Sequence, residues 1–85
     1  MTKEKVPTGT SIRNEHDLGT WIRAARKAQN VTLIEAAGLC GVGVRFLSEL
    51  ERGKSTKEIG LALRVAARMG LDLHVRPRWL EGRKS

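Results

Sequence analysis

Tyrosine is absent from this chain of 85 residues, phenylalanine occurs once and tryptophan twice, so aromatic residues make up only 4%. That scarcity argues against surfaces that stack on unpaired bases, which depend on aromatic platforms. Cysteine is reduced to Cys40 alone, so no internal disulfide forms, and His16 and His74 stand too far apart to offer metal-ligand spacing. Neither a metal nor another cofactor is expected, and the cytoplasm is the expected compartment. No apolar run approaches the roughly 20 residues of a membrane span. The opening MTKEKVPTGTS lacks the apolar stretch of a signal peptide. Catalytic sets are missing too: there is no Ser–His–acid trio, carboxylate pair, metal cluster or phosphate-cradling Gly loop, so no enzyme is expected.

What the chain does have is positive charge, a net +7. Lys and Arg that neutralise phosphates release counterions, so a polyanionic partner is favoured, although a merely solvated basic surface accounts for charge alone equally well. The distribution is uneven. Residues 1–14 carry a net +2, residues 15–53 balance five charges of each sign, and residues 54–85 carry eight positive and three negative charges. Any non-specific attraction to a polyanion must come from the flanks.

The length suits one compact domain. Residues 1–13, with Pro7 and Gly9, read as a flexible basic arm, residues 14–70 as a helical domain, residues 71–77 as a strand and residues 78–85 as a flexible tail. Asn14 can cap a helix over about 15–29, with Leu18, Ile22 and Ala25 inward and Trp21, Ala24 and Ala28 extending the apolar side. Thr32 and Glu35 form a capping box that opens a short helix over about 33–40, with Ala36, Ala37 and Cys40 inward. Gly41-Val42-Gly43 breaks it, and a second short helix from Val44 to Arg52 packs through Leu47 and Leu50. Helices this short are unstable alone and must pack on longer neighbours. Ser55 and Glu58 suggest another capping box for a helix over about 57–69, with Ile59, Ala62, Leu63, Ala66 and Met69 in one stripe.

The period then changes. Leu71, Leu73 and Val75 alternate with polar residues up to Pro77, which specifies a strand. A solitary strand needs a partner for its backbone groups. Either the same strand of a second copy pairs with it about a two-fold axis, or Ser11-Ile12-Arg13 of the chain's own arm does. The first choice makes Leu71, Leu73 and Val75 a homodimer interface. The fold class expected is all-α: a helix-turn-helix bundle of four to five helices with one C-terminal strand paired across a homodimer.

Leu18-Gly19, Ile22-Arg23 and Arg26, then Thr32 with Glu35-Ala36-Ala37, Gly41-Val42, Leu47-Ser48, Leu50-Glu51-Arg52-Gly53-Lys54, and Leu63 with Ala66 together resemble the signature of the Xre or Cro/C1-type helix-turn-helix family, whose fold is lambda-repressor-like. The resemblance covers about residues 15–70. Within the family, Gly41-Val42-Gly43-Val44-Arg45-Phe46-Leu47-Ser48-Glu49-Leu50-Glu51-Arg52-Gly53 and the Gly70-Leu71 segment are most similar to the HipB-like, Y4mF-type antitoxins. The resemblance implies a dimeric operator-binding autorepressor that also binds a HipA-like kinase toxin; a solitary phage-type or metabolic repressor is the alternative. Three departures stand out. Leu33 occupies a place where many members have a phosphate-touching Gln, Gly43 caps the second short helix without a side-chain acceptor, and the usual proline is missing before the next helix, which suggests a loose Lys54–Lys57 loop.

In such a motif the second short helix enters the major groove, and the helix before it crosses the phosphate backbone. Arg45 is the first candidate for base reading, since a guanidinium can bond guanine O6 and N7 together. Val44 suits a thymine methyl, Ser48 either kind of edge, and Glu49 cytosine N4. Thr32, Arg52, Lys54 and Lys57 are candidates for phosphate contacts. Each has a plainer reading as a solvated helix or loop residue. Glu51 reads as structural, Phe46 as cover for the core edge or a sugar contact, Cys40 as a small buried hydrophobe, and His74 as an exposed strand residue or a pH-sensitive one. Trp79 and Leu80 either contact a toxin, as exposed aromatic anchors do, or pack back on the dimer.

Overall fold

A computed structural model describes residues 11–82. Five helices follow one another among them: α1 (Glu15–Ala28), α2 (Leu33–Cys40), α3 (Val44–Glu51), α4 (Ile59–Arg68) and α5 (Arg78–Gly82). The expected all-helical class holds, and the first three helices fall within a residue of their expected bounds.

Local chemistry sets those bounds. The Asn14 side chain accepts the Asp17 N–H at 2.9 Å, so α1 starts with a satisfied donor. Its far end is closed by Asn30 in the left-handed region (φ 58°) and by Gln29, whose amide donates to Ala25 O at 2.9 Å and Met69 O at 2.8 Å. Both halves of the α2 capping box form, Thr32 N–H to Glu35 Oε1 at 2.9 Å and Glu35 N–H to Thr32 Oγ1 at 3.1 Å.

The core contains Ile22 from α1, Ala36, Ala37 and Cys40 from α2, Leu47 and Leu50 from α3, and Ala62, Val65 and Ala66 from α4. Met69 closes it, and Leu18, Leu33, Phe46 and Leu71 pack against its edge. Cys40 is buried as expected, and burial raises its thiol pKa, with Arg68 and Arg64 partly opposing that shift.

Four expectations need correction. First, α4 begins at Ile59 and no Ser55–Glu58 box forms. Glu58 N–H bonds the Thr56 hydroxyl at 2.9 Å, while Ser55 Oγ donates to Glu15 Oε2 at 2.5 Å. These same bonds tie down the Lys54–Lys57 loop that the missing proline suggested would be loose. Second, the buried stripe of α4 is Ala62, Val65, Ala66 and Met69, whereas Ile59 and Leu63 are exposed. Two arginines hold the helix in this rotation: Arg64 donates to Cys40 O at 3.0 Å and Gly41 O at 3.1 Å, and Arg68 to Leu39 O at 2.9 Å. They satisfy the carbonyls that α2 leaves open at its C-terminus.

Third, residues 71–77 form no strand, and residues 11–13 do not pair with them. Alternation needs a second backbone to become a strand, and none pairs with it among the described residues. Leu71 packs on the core, but Leu73 and Val75 are exposed, Val75 at 97%. Fourth, the expected loose tail opens with α5, on which Trp79 and Leu80 are exposed at 70% and 55%. Residues 1–10 of the expected arm and 83–85 of the tail lie outside the described residues.

Candidate nucleic-acid interface

Two short helices and the turn between them make the site. Gly41 ends α2 at φ 71°, a conformation a residue with a Cβ adopts at a cost of about 1–2 kcal/mol, and Gly43 caps α3 without a side-chain bond. The turn closes as Val42 N–H bonds Ala37 O at 3.0 Å.

The inner side of α3 is fixed from two directions. Where α1 crosses the end of α3, Gly19 lies so close that a Cβ there would stand 2.3 Å from Leu50 O and 2.7 Å from Glu51 O. Beside it, Arg26 reaches Glu51 through two parallel bonds, Nε to Oε2 at 2.7 Å and Nη2 to Oε1 at 3.0 Å. Its Nη1 also donates to Val31 O at 2.9 Å, which adds the α1–α2 link to the same anchor. Both charged side chains are buried. The structural role expected of Glu51 is therefore seen, while Gly19 and Arg26 entered the sequence reading only as parts of a signature. A buried arginine cannot be told from a surface one by composition.

The outer side carries the candidate readers. Arg45 in the first turn of α3 stands out, its side chain 89% exposed, and Val44 beside it is exposed. Ser48 and Glu49 are half-buried, and Arg52 is exposed. Arg45 Nε donates to Glu49 Oε2 at 3.2 Å, and Lys54 Nζ donates to the same oxygen at 3.3 Å. The Arg45 guanidinium, followed by Lys54, holds the Glu49 carboxyl below its ordinary pKa. The Arg–Glu spacing of four was a signal for this bridge; the closure by Lys54 needs the turn at Gly53. A shallow depression lined by Phe46, Glu49, Leu50, Lys54, Ser55 and Thr56 lies alongside, with Phe46 packed on the core edge.

The phosphate candidates are less gathered. Thr32 is exposed at the start of α2, but its hydroxyl oxygen and its N–H are both engaged with Glu35. The backbone N–H of Thr32, then its hydroxyl, hold the Glu35 carboxyl below its ordinary pKa. The N–H groups of Leu33 and Ile34 have no partner within the helix, as first-turn groups never do. Leu33 packs toward the core, as an apolar residue in place of the phosphate-touching Gln would. Lys54 is drawn to Glu49, and Lys57 is exposed in the loop before α4.

This arrangement coincides with a family match. A family described as helix-turn-helix matches residues 22–75, which spans α2, the glycine turn and α3. The chain belongs to the helix-turn-helix family. It is also similar to a protein of Sinorhizobium fredii (strain NBRC 101917 / NGR234) described as an uncharacterized HTH-type transcriptional regulator, y4mF, at 41% identity over 64 residues. That alignment covers 75% of this chain and 84% of the relative. Among the described residues no three His, Cys, Asp or Glu side chains gather as metal ligands, and no helix is long and apolar enough to cross a membrane.

Proposed function

We propose that this helix-turn-helix chain is a sequence-specific, double-stranded-DNA-binding transcriptional regulator that represses its own operon as a homodimer, acting in the cytoplasm at the nucleoid. The observation that carries the reading is Arg45: it stands 89% exposed at the N-terminal turn of α3, the part of a recognition helix that faces base edges. Val44 and Ser48 flank it for apolar and hydroxyl contacts, while Arg52, Lys57 and Thr32 with the α2 N-terminus hold phosphates. The y4mF likeness supports a regulatory role.

A second reading adds a toxin partner. Leu73, Val75, Trp79 and Leu80 present exposed apolar surface after the bundle ends. Leu73 and Val75, which follow a Leu71 held by the core, then meet the second copy in the homodimer, and Trp79 and Leu80 contact a HipA-like kinase toxin, which makes the protein a HipB-like antitoxin. Co-purification of a kinase-like protein with the chain from its native host supports this reading; recovery of the homodimer alone favours a solitary repressor.

The DNA reading is tested by footprinting and anisotropy on the DNA upstream of the gene. Two protected half-sites about one helical turn, or a multiple, apart are expected. Arg45→Ala loses about 1–3 kcal/mol and relaxes one base pair, whereas Lys57→Ala weakens all duplexes alike and lowers the salt slope by about one. Equal binding of the wild-type protein to upstream and scrambled DNA at moderate salt overturns the proposal.

A further inference from the structure

A single carboxylate oxygen on the outer side of α3 receives two cations. Glu49 Oε2 accepts Arg45 Nε at 3.2 Å from the helix's first turn, and Lys54 Nζ at 3.3 Å from beyond the turn that ends the helix. The Glu49 side chain is 24% exposed, against 89% for Arg45 and 63% for Lys54, so the acid is recessed and the cations project past it. Only Nε of Arg45 is bonded in this bridge, so the terminal nitrogens, which supply a fork that matches guanine O6 and N7, carry no bond to Glu49.

We propose that Glu49 is a positioning residue for DNA recognition: it presets the Arg45 guanidinium and the Lys54 ammonium on the groove-facing side of α3 and reads no base itself. This rests on the DNA-binding reading above. Two physical effects follow. A long exposed arginine loses rotamer freedom when it docks, and a partner already in place moves part of that loss out of the binding step. The carboxylate also cuts the local charge from +2 to +1, which weakens attraction to any duplex while keeping the geometry suited to the right one. As a reader of cytosine N4, Glu49 would have to turn its carboxylate from the two cations that already hold it.

The test compares wild type, Glu49→Gln, Arg45→Ala and the double variant by anisotropy. Probes are a duplex of the gene's own upstream DNA, its single-base variants and a scrambled duplex, at several salt concentrations. Glu49→Gln keeps the side-chain shape and removes the charge, and circular dichroism melting checks that the fold is intact. The expected result is tighter binding of scrambled DNA and an upstream-to-scrambled preference reduced about three- to tenfold. The relaxed base pairs are the ones Arg45→Ala relaxes, and Glu49→Gln adds nothing to preference in the Arg45→Ala background. Relaxation at a different base pair, additive with Arg45→Ala, makes Glu49 a base reader and overturns the proposal. So does an unchanged preference in Glu49→Gln. Absence of any preference in the wild-type protein brings down the DNA-binding reading itself, a result distinct from both.

Discussion

Glu49 and Glu51 sit two residues apart on α3, about 200° around the helix from each other, and they have opposite surroundings. Glu51 faces inward, buried, and receives bonds from Nε and Nη2 of the Arg26 guanidinium. Glu49 faces outward and shares one oxygen between two cations that water also reaches. The same chemical group thus locks the scaffold on one side of a two-turn helix and tunes the exposed face on the other. What separates them is desolvation. A buried pair that loses one member leaves an uncompensated charge, whereas an exposed pair that loses one member regains water.

The contrast is broken most severely from the inside. Glu51→Ala is expected to lower stability by about 3–5 kcal/mol in urea unfolding, because the buried Arg26 guanidinium loses the carboxylate that balances its charge. Pairing it with Arg26→Met should recover much of the loss, and a double variant as unstable as the single one would deny that stranded charge is the cause. Gly19→Ala comes next, at about 2–3 kcal/mol, since its methyl would collide with the Leu50 and Glu51 carbonyls and push α1 off α3. A thermal midpoint equal to wild type would mean that the crossing yields without strain.

The smallest effect sharpens the outer side. Three surface carboxylates are held below their ordinary 4.5: Glu15 by the Ser55 hydroxyl, Glu35 by the Thr32 N–H and Glu49 by Arg45. Each therefore contributes stability above pH 4.5 that fades as pH falls through its lowered value. Melting between pH 5 and 2 should show a shallow decline, shallower still in Glu35→Gln. An identical slope in that variant would deny the capping box its share.

Much of the scaffold was legible because its signals are local. Asn14, the Thr32–Glu35 box and Gly41 each act on backbone groups within a few residues, so the bounds of α1 to α3 could be read from neighbours alone. The α4 start failed for the same reason in reverse. Ser55 looked like a cap, but its hydroxyl is taken up by Glu15, forty residues away in sequence. The Leu71–Val75 alternation pointed to a strand, yet a strand is a relation between two backbones, and among the described residues only one is present there.

The candidate readers were legible as types, and Arg45 lies on the outer face as expected. Their arrangement was not, since the bridge through Glu49 depends on where the turn at Gly53 returns Lys54. By itself the sequence determined the helix-turn-helix plan, because capping, glycine turns and apolar period act over one or two turns of chain. Only the tertiary structure decided which arginine is buried, which glutamate it meets and which face of α4 turns inward, because those outcomes follow from contacts between residues far apart in the chain, where desolvation and packing outweigh local preference.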